Sequence, residues 1–146
     1  MSRGQLRSQI KPETGDAVIL VLEDDPDVEP LWLDVFRWRL AIGFRDLEDP
    51  APLSVWGHFL AISKRLRYGP DIGIPQNRMM PKHALRVVAF VQSLPIDGTV
   101  RRLLVACEYG RSRSVSIARF AAETKGWTFS SDLPGNVRVS RLLRSL

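Results

Sequence analysis

Residues 17–22 form an unbroken apolar run, Ala-Val-Ile-Leu-Val-Leu, rich in β-branched side chains. A run of that length without polar alternation predicts a strand buried on both faces, as in the centre of a parallel sheet. Residues 103–107, Leu-Leu-Val-Ala-Cys, have the same character and predict another such strand. Between them the pattern changes. Phe36, Trp38, Leu40, Ile42 and Phe44 alternate with Arg37, Arg39, Ala41 and Gly43. That period of two predicts a strand with one firmly buried face. Helical spacing then takes over. Val55, Phe59, Ile62 and Leu66 predict a helix that Gly69-Pro70 stops. Ala84, Val87, Val88 and Val91 predict a helix over 82–94, ended by Pro95. Val115, Ile117, Ala118, Phe120 and Ala121 predict one over 113–125, with Gly126 as its C-cap. After Pro134-Gly135 a short helix over 137–146 carries Arg138, Arg141 and Arg144 on one basic ridge.

Strands alternating with helices predict an α/β fold with a mostly parallel central sheet and helices on both faces. The 146 residues fit a single domain, 1–146, with an extra helical segment at about 51–81. Residues 1–16 read as a polar, partly mobile lead-in. Residues 23–30 are acidic and Pro-punctuated, and read as a solvated loop without the Gly spacing of a calcium site. Ligands of parallel sheets bind beyond the carboxyl ends of the strands. Cys107 and Asp46 both follow such an end, which predicts them on one rim.

The turn after the 103–107 strand concentrates the chemistry. It reads Cys107-Glu108-Tyr109-Gly110-Arg111-Ser112-Arg113-Ser114 and runs into a helix. Successive N–H groups in such a turn, with the helix N-terminus behind them, make a nest for an anion. A cysteine facing that nest ionises easily. Arg113 offers a forked guanidinium that matches two oxygens of a phosphoryl group. Ser114 brings a hydroxyl near the sulfur, and Gly110 admits a backbone conformation that a Cβ resists. The plain alternative is a buried core cysteine with solvated arginines.

The pattern C-x-x-G-x-x-R-S between a strand and a helix resembles the signature of the cysteine-dependent protein tyrosine phosphatases, in particular the compact dual-specificity type. Gly43-Phe44-Arg45-Asp46-Leu47 and Pro134-Gly135-Asn136-Val137-Arg138 are similar to flanking features in a compact bacterial branch of predicted tyrosine phosphatases. The resemblance covers roughly residues 17–49 and 82–146 and leaves out the segment between. It implies a phosphatase-like phosphate loop and a phosphomonoester hydrolase acting through a phosphocysteine. Cys107 would be the nucleophile, and Ser114 would steady its sulfur. The backbone of Glu108, Tyr109, Gly110, Arg111, Ser112 and Arg113 would bind phosphate together with the Arg113 side chain. A general acid is expected on an upstream loop. Asp46 ranks first because it directly follows a strand, Asp71 fits better by chain distance, and Asp49 is a third choice. The family's usual His before the cysteine is replaced here by Ala106. Glu108 would place negative charge beside the sulfur if it turned inward, and Arg111 would oppose it.

Composition changes the picture little. Apolar content of 45% and charged content of 25% are ordinary for a globular chain. No apolar run spans a membrane and no secretory signal opens the chain. The single cysteine forms no internal disulfide and suits a reducing cytoplasm. His58 and His83 form no ligand cluster, so neither a metal nor another cofactor is expected. The net charge of +5 points to anionic partners. A phosphorylated protein or other phosphomonoester is the expected one, with no membrane and no nucleic acid. Two alternatives remain: a catalytically weak phosphate-binding module on the same scaffold, and a basic nucleic-acid-binding protein, the latter without a recognisable recognition motif. A sulfurtransferase or arsenate reductase is a lesser option, because such reductases normally use further cysteines.

Overall fold

The computed structural model describes residues 1–46 and 78–146. The extra helical segment expected at about 51–81 therefore falls largely outside the described residues. Its last residues lead into the helix that begins at Pro81. Asp49, His58 and Asp71 also lie outside the described residues.

Three strands build a parallel sheet: β1 (Asp16–Leu22), β2 (Trp38–Gly43) and β3 (Arg102–Ala106), in the order β2-β1-β3. The unbroken apolar run takes the central place, since only a strand paired on both edges and covered on both faces needs no polar side. Ile19 sits opposite Leu40 on one neighbour and Val105 on the other. The period of two then divides the side chains. Ile19, Val21, Ile42 and Val105 face a layer made by α2 (Pro81–Ser93), α3 (Arg113–Lys125) and α4 (Val137–Arg144). That layer contributes Val87, Val91, Ile117, Ala121, Val139 and Leu143. Val18, Leu20, Ala41, Leu104 and Ala106 face the other way, onto Leu6 of α1 (Arg3–Gln9) and onto Leu33 and Phe36. The fold is thus α/β, as the alternation of patterns predicts. No helix among the described residues is long and apolar enough to cross a membrane.

Two expectations are corrected. The opening residues are an ordered part of the fold, not a lead-in. Ser2 caps α1 in a reciprocal box with Gln5, and Leu6 is buried beneath the helix. Phe36 was expected on the same face as Ile42 and Phe44 and instead joins the opposite cluster. A 3-10 turn over Leu31–Val35 occupies the approach, and the strand begins only at Trp38, so the period of two does not reach back to Phe36.

At the amino end of the sheet, Asp16 and Arg102 tie β1 to β3. Arg102 donates through Nε at 2.8 Å and Nη2 at 2.6 Å to the two oxygens of the buried Asp16 carboxylate. The forked geometry gives this pair direction as well as charge.

Candidate functional site

The carboxyl ends of the same strands carry the cysteine. Cys107 is the first residue after β3, and α3 starts at Arg113, so the turn expected between a strand and a helix is present. The side chain of Cys107 is only 2% exposed, yet its sulfur does not face apolar neighbours alone. The amide of Gly110 donates to Sγ at 3.3 Å, and the Ser114 hydroxyl lies 3.3 Å from it. Burial alone would push this thiol up. The Ser114 hydroxyl and amide, the Gly110 amide and the charge of Arg113 together outweigh burial and hold it below the ordinary thiol value. Gly110 has φ of +70°. A Cβ there would come within 2.4 Å of the Met1 and Ser2 backbone, so conformation and close approach both require glycine.

Among the described residues Arg113 is the largest fully buried side chain. Its Nη1 donates to Leu22 O at 3.1 Å and Phe44 O at 2.6 Å, the carbonyls where β1 and β2 end. Its Nη2 pairs with Glu23. Its Nε is buried without a hydrogen-bond partner. A guanidinium has five N–H donors, and a buried one left unmade is costly.

Asp46 comes to the same rim, although it stands 61 positions before Cys107 in the chain. Its Oδ1 accepts from Ser112 Oγ at 2.8 Å and from Asn136 Nδ2 at 2.8 Å. The Ser112 side chain is therefore used on Asp46 and does not cap α3. Asn136 is fully buried and links three elements. Its amide and carbonyl meet Ser116 Oγ on α3, at 2.7 and 3.0 Å, and its Oδ1 caps α4 by accepting from Val139 N. Gly135 makes that turn at φ +77° with Ser116 against it.

The remaining candidates lie on the outside of the turn. Tyr109 and Arg111 are exposed. Glu108 does not turn toward the sulfur. It pairs with Arg3 at 3.2 Å. Ala106, where the resemblance leads one to expect His, is packed among apolar side chains with Leu6 and Leu20 and offers no side-chain donor. The backbone of Cys107 is held by the opening residues instead. Its N–H donates to Met1 O at 3.2 Å and its carbonyl accepts from Arg3 N at 2.8 Å.

One of the expectations about charged segments is corrected. The acidic stretch at 23–30 is a largely exposed loop, as expected, and some of its carboxylates also hold partners. Glu23 pairs with Arg113, Asp25 accepts from Gly43 N and Arg86, and Glu29 pairs with Arg39. The ridge on α4 is not a free basic face. Arg138 is buried with its Nε on Met79 O, and Arg144 pairs with Glu123. His83 is a packing residue. Its ring stacks on Phe44, its Nδ1 accepts from Met80 N, and burial foremost holds its pKa below the ordinary value. Among the described residues no group of three or more His, Cys, Asp or Glu side chains is arranged to hold a metal ion.

Glu23, Asn136 and the opening residues are the site members that sequence reasoning missed. Glu23 had a usable signal, because it follows the 17–22 run directly and so lies past a carboxyl strand end, like Asp46 and Cys107. Comparison with family models, with curated proteins and with solved structures gives no match.

Proposed function

We propose that this chain is a cysteine-dependent phosphomonoester hydrolase of the protein tyrosine phosphatase type, with residues 107–113 as its phosphate loop. The observation that carries the proposal is Arg113. Its guanidinium is buried beside a thiol with a lowered pKa, two of its nitrogens are fixed by carbonyls and Glu23, and its Nε has no partner. A phosphoryl oxygen would satisfy that donor, and the loop amides would hold its neighbours.

In the first step the Cys107 sulfur attacks phosphorus. An S–P bond forms while the P–O bond to the leaving group breaks, and Asp46 supplies the proton for the leaving oxygen. In the second step water attacks the phosphocysteine and gives its proton to Asp46. The S–P bond breaks, its electron pair returns to sulfur, and inorganic phosphate leaves. Ser114 stabilises the thiolate at both ends of the cycle. Ser112 and Asn136 fix the Asp46 carboxylate over the rim.

A second reading, phosphate binding without turnover, has one observation in its favour. Asp46 Oδ1 is already occupied by two donors, which competes with handing a proton to a leaving group. Nitrophenyl phosphate separates the two. A burst of nitrophenol equal to the enzyme present, abolished in Cys107→Ser, is expected of the hydrolase. Binding of inorganic phosphate with no burst assigns the module. Neither burst nor binding removes both.

A further inference from the structure

Arg3 is the first residue of α1, with Ser2 as its cap. A cation there opposes the positive end of the helix dipole, so local helix chemistry argues against it. Its ion pair does not account for the choice either. Arg3 meets Glu108 Oε2 at 3.2 Å with the two side chains 47% and 36% exposed, and a pair so open to water adds little to stability. A residue that breaks a local rule without a structural return points to function. We propose that Arg3 is a positioning residue for the nucleophile: by holding and neutralising the Glu108 carboxylate, it keeps an opposing charge off Cys107 and off the phosphoryl group. The proposal rests on the hydrolase reading and adds to it the side chain that keeps negative charge out of the phosphate loop.

Glu108 follows the nucleophile directly and is the only carboxylate in the stretch 107–114. Its charge therefore acts at short range on any anion held by that turn. The pair with Arg3 turns the carboxylate onto the α1 side of the sheet, while the Cys107 side chain packs on the other side with Val105 and Ile117. Among the described residues Arg3 is the one cation paired with Glu108. Its own backbone delivers it there. Arg3 N donates to Cys107 O at 2.8 Å, Cys107 N donates to Met1 O at 3.2 Å, and Leu6 buries α1 against the sheet. A change of the Arg3 side chain leaves those backbone bonds in place. The other charges around the sulfur come from each neighbouring element. Arg113 lies on α3 with Glu23 behind it, Asp46 stands at the rim after β2, and the Met1 amine interacts with the sulfur from the opening segment. Arg111 stands exposed on the turn itself.

The test reads the thiol directly. Cys107 is the only cysteine, so the ultraviolet absorbance of its thiolate, corrected with Cys107→Ser, follows one group across pH. Arg3→Gln should raise the apparent thiol pKa by about half a pH unit, the size of one screened charge at this range. The acid limb of kcat/KM for nitrophenyl phosphate should move up by the same amount. The double variant, Arg3→Gln with Glu108→Gln, should return both to the wild-type position, because the charge that Arg3 answers is then gone. Arg37→Gln removes an equal charge at the amino end of the sheet and should move neither. The melting temperature of Arg3→Gln should not fall. No thiol shift in Arg3→Gln, a shift that survives in the double variant, or an equal shift in Arg37→Gln overturns the role of Arg3 and leaves the hydrolase reading to its own burst assay. A lower melting temperature in Arg3→Gln assigns the residue to structure and overturns the role as well. A thiol shift reversed in the double variant, in a chain that turns over no nitrophenyl phosphate, keeps the role of Arg3 and removes the hydrolase.

Discussion

Two arginine–carboxylate pairs stand at opposite ends of one sheet, and they are built in opposite senses. At the amino end the carboxylate is buried and the arginine is half out: the Asp16 side chain is 2% exposed and Arg102 is 42% exposed. At the carboxyl end the order is reversed, with Arg113 at 1% and Glu23 at 47%. The first pair is complete. Arg102 serves both oxygens of Asp16, and the Glu13 amide adds a further donor. The second pair is incomplete, because the buried Arg113 keeps an Nε without a partner. A satisfied buried carboxylate closes a strand junction. An unsatisfied buried guanidinium keeps a free donor at the end where parallel sheets bind ligands, and the proposed phosphate loop would use it.

The sharpest way to break that contrast is to replace each arginine by lysine. Arg113→Lys keeps the charge and loses both the fork and the Nε donor. We expect kcat/KM for nitrophenyl phosphate to fall by about a thousandfold or more, the scale on which guanidinium groups stabilise a transferring phosphoryl group. Arg102→Lys loses the same fork at the closed end. It should leave kcat/KM where it was and lower the melting temperature. Similar losses of turnover in both variants would mean that the two pairs do the same structural work, and the contrast would be false.

The next effect concerns Asp46. Asp46→Ala should lower turnover of aryl phosphates with poor leaving groups by about a hundredfold, and of those with good leaving groups far less. A uniform loss across leaving groups would make Asp46 a positioning residue for Ser112 and Asn136. No loss at all would move the general acid to another carboxylate.

These residues were not equally legible in the sequence. Cys107, Gly110, Arg113 and Ser114 sit at fixed offsets in one turn, so local spacing alone places them together. Asp46 was legible because it follows a strand, and the end of a parallel strand is a defined location. The central strand and the helices around it were legible from hydrophobic period. The Glu23–Arg113 pair spans 90 positions, and no local pattern joins such partners. The link from Asn136 to Asp46 depends on a left-handed turn at Gly135 and on the packing of α4 against α3. The ordered start of the chain was hidden because α1 buries a single large apolar residue, Leu6, too little for a helical period. Its Ser-x-x-Gln cap was the one readable trace. Arg138 misled because spacing locates a residue on a helix face without saying whether that face is covered.

The smallest effect separates the two ends by pH. Asp16 is held below the ordinary aspartate range, first by the hydrogen bonds from Arg102, with burial opposing. Its contribution to stability is therefore complete above the unfolded aspartate value and is lost as pH falls through the lower folded value. Asp16→Asn should cost about 2 kcal/mol at neutral pH, or ~4–8 °C in melting temperature, and should flatten part of the acid-side fall in stability. Asp25, also held low, accounts for some of what remains. Cys107 is lowered too, from a thiol value of 9.0, so its window runs downward from that value. Its contribution is complete above that value and is lost as pH falls through the folded value. Cys107→Ser should remove the gain that ends at the ordinary thiol value, while Asp16→Asn should remove the one that ends at the ordinary aspartate value. Melting curves of both variants across the pH range check this, and any exchange of limbs between them would show that the two ends are coupled.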